Sequence, residues 1–356
     1  MKSKKFLVMG NWVLVVVLVV GILAVGCAPK PAPTPVGEHE LYEVRAHTAV
    51  VGTSAYVLYA GMEEICKKHG SWLKLSSVEG AGGTANAHLL LSSSAEEREH
   101  LVMLLNPPDF LGVLYGLPPF ENEQSNDLRV LHTLTITAGI FVTLDPNIKS
   151  IKDLEGKKVA LGKATQTFWG ALAAALLEDG FGLVDGENIE LSWVGGSAGC
   201  DALKDGLVDA AFTGGYVGMG EPRIFAAVDE LLQLSSLSDV YYLDLTAEAI
   251  EKMPEEGTVF PVRLPPGTLP GSQPNEVDTL GLCSTYCVDK SMPDEVAAEI
   301  VKMWMSHYAE LADYHAIGTT VTPENFYYFP WIPDSELDNW VHPGALKAFR
   351  EAGMER

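Results

Sequence analysis

Residues 129–144 read RVLHTLTITAGIFVTL, a β-rich run that is longer than one ordinary strand of about 5–6 residues. A second long run, VDTLGLCSTYCV, occupies residues 277–288. Around these two runs, shorter apolar segments alternate with helical patterns, for example an apolar run at 157–162 followed by a helical pattern at 166–179. Such alternation predicts an α/β fold with largely parallel sheets.

The two long runs also predict how the chain is divided. We expect residues 129–144 to leave one sheet and enter a second, and residues 277–288 to return. The interpretation is a bilobed binding protein whose lobes are joined by two long crossing strands, with a ligand cleft between them. Lobe 1 then comprises residues 41–138 and 284–356, and lobe 2 comprises residues 139–283.

The first 27 residues have the pattern of an export signal. Three lysines precede a long apolar segment, and small residues stand directly before Cys27. This pattern resembles a bacterial lipoprotein signal peptide at 1–27, with Cys27 as the lipidated residue. The alternative is an uncleaved anchor, because the apolar run is long enough to span a bilayer. Either interpretation places the rest of the chain outside the cytoplasm, behind a Pro-rich tether at residues 28–40.

Composition narrows the class of partner. The 356 residues suffice for two domains, and the formal net charge of −23 argues against binding to nucleic acid or to an anionic membrane surface. We therefore expect no nucleic-acid partner, membrane attachment through the N-terminal lipid only, and a monomer. The cysteines after the signal are expected to be mostly buried thiols, with one disulfide left open: Cys66, Cys200, Cys283 and Cys287.

Four predicted strand-to-helix junctions carry small or hydroxyl residues. They are Gly52–Ala55, Glu79–Thr84, Gly162–Thr167 and Thr213–Tyr216. In an α/β sheet, ligands bind at the carboxyl ends of the strands, and a helix N-terminus offers unpaired N–H groups with a partial positive charge. Two junctions fall in each predicted lobe, so together they predict a carboxylate-sized anion site across the cleft. The plainer interpretation is that these residues serve only as turns and helix caps.

The chain resembles the solute-binding subunits of TRAP transporters of the TAXI type. The resemblance runs from about Tyr42 to the C-terminus, and it rests on six stretches in a specific order: VGTSAYVLYAG, EGAGGTANAHLL, NIKSIKDLEGKKVALGKATQT, LKDGLVDAAFTGG, PPGTLPG and HPGALKAFREAG. It implies a periplasmic-binding-protein-like fold of type II. It also implies a receptor that captures a small organic anion, a carboxylate or an acidic amino acid, and hands it to the TRAP membrane subunits.

The loops and the resemblance together give the candidate ligand-binding residues. Lys163 is a direct cation for a carboxylate or an exposed loop lysine. Asn86 faces either the cleft or solvent, and Asn106 either lines the cleft or only ends its strand. The aromatic Trp169 walls the pocket or fills the core. The full predicted set is Gly52, Thr53, Ser54, Tyr56, Gly82, Gly83, Thr84, Asn86, Asn106, Lys163, Thr165, Gln166, Thr167, Gly214, Gly215 and Tyr216.

Enzymatic interpretations have less support in the sequence. Residues 195–199 match GxSxG, the nucleophile-elbow pattern that would make Ser197 the nucleophile of an extracytoplasmic serine hydrolase, but no histidine pairs with it in the sequence. Residues 80–85 fit a loose dinucleotide pattern, which is weak alone. We expect no catalytic residue, no metal and no cofactor. A binding protein of the same fold for an ABC importer or a sensor kinase remains the nearest alternative.

Overall fold

The computed structural model describes residues 40–164, 166–253 and 258–355. The predicted signal peptide, its Cys27, the tether up to residue 39 and Thr165 lie outside the described residues. The sequence-based expectations for those positions therefore stay predictions.

The described residues contain eleven strands and a set of mostly short helices. The strands are β1 Tyr42–His47, β2 Leu73–Val78, β3 Leu101–Leu105, β4 Leu128–Thr143, β5 Lys158–Leu161, β6 Glu190–Trp193, β7 Ala210–Gly218, β8 Ile224–Ala227, β9 Tyr241–Leu243, β10 Val259–Leu264 and β11 Val277–Asp289. The helices are α1 Ser54–Lys68, α2 Gly83–Ser92, α3 Ala95–Arg98, α4 Pro107–Tyr115, α5 through Thr167–Leu172, Ala173–Ala175 and Leu176–Gly180, α6 Gly196–Lys204, α7 Asp229–Leu237, α8 Ala247–Ile250, α9 Asp294–His307, α10 Pro323–Phe326, α11 Leu337–Trp340 and α12 Pro343–Glu351. Short 3₁₀ turns occupy Ile151–Leu154, Tyr308–Asp313, Ala316–Thr320 and Asp334–Glu336. None of the helices in these described ranges combines the length and apolar character needed to cross a bilayer.

All the strands belong to one curled, mixed sheet whose main order is β2-β1-β3-β11-β4-β7-β5-β6. Strands β1, β2 and β3 are mutually parallel, as are β5, β6 and β7. The two long strands β4 and β11 lie antiparallel to each other at the centre of the order. The predicted α/β class and the two long crossing strands are confirmed. We call the β1–β3 side lobe 1 and the β5–β7 side lobe 2.

The directions of the strands make the two lobes face each other. Both β3 and β4 are antiparallel to β11, so they run the same way, whereas β7 runs antiparallel to β4. Leu105, at the carboxyl end of β3, pairs with Thr285 of β11. On its other side, Thr285 pairs with Thr133 of β4, so Leu105 and Thr133 lie at the same level of the sheet. Near the carboxyl end of β7, Val217 pairs with Ile136. Thr133 and Ile136 are about 10 Å apart along β4 by strand rise, so the carboxyl ends of the strands of both lobes meet at the middle of β4.

Helix α1 shows how the sequence builds one layer of lobe 1. Thr53 caps its first turn by accepting a hydrogen bond from the Tyr56 amide, and Lys67 and Lys68 stand in its last turn, where the helix dipole favours cations. Leu58 and Met62 follow helical spacing and are buried against the sheet. Burial of apolar surface stabilises a protein by about 25 cal/mol per Å². The buried apolar face of α1 therefore stabilises this helix more than its intrinsic helix propensity does.

Three local sequence patterns predict elements that the structure changes. The apolar residues at 231–237 predict a strand, but they form helix α7, whose buried Leu231 and Leu234 follow helical spacing. The apolar run at 208–213 predicts a strand that ends there, but β7 continues to Gly218 because β4 pairs with it on one side and β8 on the other. The pattern at 293–315 predicts one helix, but α9 ends at His307 and the chain continues as a 3₁₀ turn. The four described cysteines are buried free thiols, so no disulfide links them.

Candidate functional site

The first loop, between β1 and α1, presents open helix amides. Gly52 has a φ of +90°, a conformation that glycine adopts without strain, and it turns the chain into the helix. The Thr53 hydroxyl donates to the Val50 carbonyl at 2.7 Å and caps the helix, so it is already used locally. The backbone amides of Ser54 and Ala55 donate no hydrogen bond within the described residues. These two N–H groups are therefore available to an anion.

The second loop, between β2 and α2, is fixed by hydrogen bonds to a residue of lobe 1. The Thr84 hydroxyl donates to Oδ1 of Asp109 at 2.8 Å, and the Asn106 amide donates to Oδ2 at 3.1 Å. A Cβ on Gly83 would stand 2.0 Å from the same carboxylate, so any larger residue there would displace Asp109 from this position. Burial raises the pKa of Asp109, and the bonds from Thr84 and Asn106 oppose that rise. Asp109 thus occupies the position that a ligand anion would need.

Asn86 is buried and connects the ends of two strands, β1 and β3. Its side-chain amide nitrogen donates to the carbonyls of His47, Thr48 and Leu104 at 3.2, 2.8 and 3.1 Å. These bonds explain why an amide stands on the inner face of α2, since a buried carbonyl left without a donor is costly. The donors of Asn86 are thereby committed to the protein.

The third loop, between β5 and α5, is a tight turn closed by its own residues. The Lys163 amide donates to Oε1 of Gln166 at 2.8 Å, and the Gln166 amide donates back to the Lys163 carbonyl at 2.8 Å. A Cβ on Gly195 would lie 4.0 Å from Cγ and Cε of Lys163, so the lysine stem lies along the neighbouring loop. The Lys163 and Thr167 side chains are exposed.

The predicted fourth loop is not a loop. Thr213, Gly214, Gly215 and Tyr216 lie inside β7, paired with Ile140, Gly139, Ala138 and Thr137 of β4. A Cβ on Gly214 would stand 2.0 Å from the Ala138 carbonyl oxygen, and one on Gly215 would stand 2.2 Å from that of Ala226. The glycines allow close approach of three strands, and they place Thr213 and Tyr216 at the junction of the lobes.

The third loop with α5, strand β7 and the start of α7 meet around a cavity of about 180 Å³. It is lined by Gln166, Trp169, Thr213, Tyr216, Val228 and Glu230. Burial raises the pKa of Tyr216, and the nearby side chain of Ser54 opposes the rise. Ser54 belongs to lobe 1 and Tyr216 to lobe 2, so the first loop reaches the rim of a cavity built in lobe 2. The structure brings together Ser54, Gln166 and Tyr216, and it leaves the second loop outside this lining.

Comparison with known proteins agrees with this architecture. The family model described as the NMT1-like family matches residues 47–353. The chain belongs to the NMT1-like family. A structure of the periplasmic sulfonate-binding protein SsuA of a sulfonate ABC transporter from Methylobacillus flagellatus KT is similar to the NMT1-like protein with a TM-score of 0.50. The two are 12% identical, and the match covers 89% of this chain and 97% of that one. The NMT1-like protein thus has the two-lobed type II fold of periplasmic solute-binding proteins.

Two further structures are similar at lower scores. The first is a TctC solute-binding protein from Polaromonas, with a TM-score of 0.47, 15% identity, and coverage of 80% of this chain and 88% of that chain. The second is MatC from Rhodopseudomonas palustris with bound malate, with a TM-score of 0.45, 15% identity, and coverage of 90% and 98%.

The sequence did not point to two residues of the cavity, Val228 and Glu230. Both stand at the start of α7, a segment whose sequence suggested the approach to a strand. The signal that could have found them is the acidic pair Asp229 and Glu230 ahead of apolar residues at helical spacing, which marks a helix N-terminus in the NMT1-like protein. Trp169 was considered for either the wall or the core; it lines the cavity and stacks edge-on against Phe168 at 4.9 Å.

Glu230 sets the electrostatics of the cavity. Its carboxylate accepts no hydrogen bond and forms no ion pair within the described residues of the NMT1-like protein, and its charge raises the pKa of Tyr216 further. No Lys or Arg is among the described lining residues. A ligand group near Glu230 therefore gains by carrying positive charge, whereas a ligand carboxylate gains near the amides of Ser54 and Ala55.

Proposed function

We propose that the protein is an extracytoplasmic solute-binding receptor that captures a small organic anion between its lobes. The observation that carries the proposal is the meeting of carboxyl strand ends from both lobes, where the Ser54 side chain of one lobe lies near the Tyr216 side chain beside the cavity of the other. Ligands of open α/β sheets bind at such ends. Rotation of the lobes about β4 and β11 would close the cleft over the ligand, and the closed state is what a membrane partner would select.

The lining favours an acidic amino acid over a plain dicarboxylate. The amides of Ser54 and Ala55 at the start of α1, with the Tyr216 hydroxyl, are donors suited to a carboxylate. Glu230 is a half-buried carboxylate without a hydrogen-bonding partner in the described residues, and it suits an ammonium group. Trp169 and Tyr216 add aromatic faces that attract a cation. Three residues of the third loop, Lys163, Gln166 and Thr167, are proposed to contact the ligand on closure.

The proposed delivery partner is the membrane part of a TRAP transporter. Support comes from the sequence stretches that resemble TAXI-type receptors. The SsuA structure is named as part of an ABC transporter, which keeps an ABC importer as the second candidate partner. The proposed location is extracytoplasmic, with Cys27 lipidated and the tether between lipid and receptor. Genes for a large multi-span permease beside the gene of this protein would support the TRAP assignment.

A thermal-shift screen tests the ligand class. Four-to-six-carbon dicarboxylates, acidic amino acids, neutral analogues, sugars and amines are each added to the purified protein. At a concentration of 100 times Kd, a ligand specific for the folded state adds about 2.7 kcal/mol, or a rise in Tm of about 5 °C. We expect at least one carboxylate-bearing compound to give that rise. Stabilisation by sugars or simple amines alone would contradict the proposal.

The variant Glu230→Gln separates the two candidate ligand classes within the same screen. It should weaken binding of an acidic amino acid about tenfold or more, because an ammonium–carboxylate bond is lost, and leave a dicarboxylate unweakened. Asp229→Asn is the matched control: it removes the same charge one residue away, on an exposed side chain outside the cavity lining. Equal effects of the two variants on binding of an acidic amino acid would show that Glu230 acts only through the net charge, and would contradict its contact with an ammonium group.

A further inference from the structure

Two histidines and a glutamate meet at the end of α1 that is remote from the cleft. His69 follows the last residue of α1, His307 is the last residue of α9, and Glu310 lies in the 3₁₀ turn after it. Their ligand atoms all lie within 4.8 Å of one another. Since α1 has 15 residues and starts at the cleft, this cluster lies about 22 Å along the helix from the candidate ligand site.

The three side chains converge on a single oxygen. Oε1 of Glu310 lies 2.7 Å from Nε2 of His69 and 3.1 Å from Nδ1 of His307. The two imidazole rings stack with their centroids 3.7 Å apart. Tetrahedral zinc with bonds of about 2.0–2.1 Å holds its ligand atoms about 3.4 Å apart, so the two distances to Oε1 need to lengthen by only about 0.7 and 0.3 Å to accept the ion.

The surroundings favour a cation at this point. Both His69 and His307 stand at the C-terminal ends of helices, where the helix dipoles are negative. Lys68 contacts Oε2, the other oxygen of Glu310, so its ammonium group does not occupy the Oε1 side that faces the two imidazoles. The cluster is partly exposed, with side-chain exposures of 32%, 22% and 25%, so water can complete the coordination.

We propose that His69, His307 and Glu310 form a binding site for a divalent transition metal, with Zn²⁺ the ion that fits best. Two imidazole nitrogens and one carboxylate oxygen are a ligand set that zinc prefers, and they leave a fourth position for water. The site departs from the expectation from sequence, which predicted no metal. Because the metal ligands come from the ends of α1 and α9, a bound ion would link these two helices and stabilise the fold.

Calorimetric titration of the untagged protein with ZnCl₂, in a buffer that does not chelate metal, tests the site. We expect one equivalent to bind, and His69→Ala and His307→Ala each to weaken binding at least tenfold. Zn²⁺ should also raise the Tm of the wild-type protein and leave that of both variants unchanged. His88→Ala is the matched control, because His88 also pairs with a single carboxylate, Glu123, on the surface but has no second histidine.

The wild-type titration alone can overturn the proposal. Absence of saturable binding near one equivalent, or full binding retained by both histidine variants, would show that the cluster is only a hydrogen-bonded group. Melting curves of the variants in EDTA show whether they are folded. The result is independent of the solute-binding proposal, because the zinc titration contains no organic ligand and the variants lie far from the cavity.

Discussion

Replacing Gly214 with alanine is expected to destabilise the protein by about 4 kcal/mol or more, a loss large enough to unfold many domains. The added Cβ would stand 2.0 Å from the Ala138 carbonyl oxygen and 3.0 Å from the Cα of Gly139. Both contacts are backbone atoms of the crossing strand β4, so no side chain can turn aside to relieve them. Urea-induced unfolding of the variant, compared with that of the wild-type protein, measures the effect.

Gly206→Ala is the control for the loss of a glycine as such. Gly206 has a φ of +70°, and no atom lies within 4 Å of the position that an added methyl group would take. Alanine there therefore suffers only backbone strain of about 1 kcal/mol. If Gly214→Ala is no more destabilising than Gly206→Ala, then β4 and β7 do not approach as closely as the structure has them. In that case Thr213 and Tyr216 would not be held at the junction of the lobes.

Acid should destabilise the protein through His132. This histidine is buried among aromatic rings, with Nε2 2.8 Å from the Tyr59 hydroxyl, and burial lowers its pKa to about 3. The unfolded chain takes up a proton near pH 6.5, while the folded protein does not until about pH 3. Unfolding is therefore favoured as pH falls between these values, at about 1.4 kcal/mol per unit, so the loss at pH 4 is on the order of 3 kcal/mol.

His132→Gln should remove this contribution while keeping an acceptor for Tyr59. Chemical denaturation from pH 7 to pH 4 then gives a shallower acid slope for the variant than for the wild-type protein. Tyr59→Phe is the control: it removes the hydroxyl but retains the histidine, so it should lower stability at every pH and keep the slope. His47 and His342, whose pKa values burial also lowers, are present in all three proteins and cancel in the comparison. An unchanged slope in His132→Gln would show that His132 is not the responsible group.

The large features of the fold could be predicted from sequence because they extend over many residues. The runs at 129–144 and 277–288 are longer than an ordinary strand. They appear in the structure as β4 and β11, with ends shifted by at most one residue. The first junction was predictable for a different reason, because a positive-φ glycine and a hydroxyl cap have strong local preferences. Neither feature depends on distant parts of the chain.

The errors have the opposite origin. Gly214 and Gly215 look like a turn in isolation, and only pairing with β4 and β8 on both sides makes them strand residues. The role of Asn86 depends on carbonyls from β1 and β3, and that of Thr84 on Asp109. His69 and His307 are far apart in sequence and meet only through the packing of α1 near the end of α9. Tertiary contacts override local patterns at each of these positions.

Hydrogen exchange on the protein, with and without the most stabilising carboxylate from the screen, tests the central claim most directly. If amides from both lobes share one ligand, protection should rise in residues 52–57 of lobe 1 and also in residues 166–170 and 213–217 of lobe 2. Protection confined to one lobe, or appearing on surfaces remote from the junction of β3 and β7, would contradict the account.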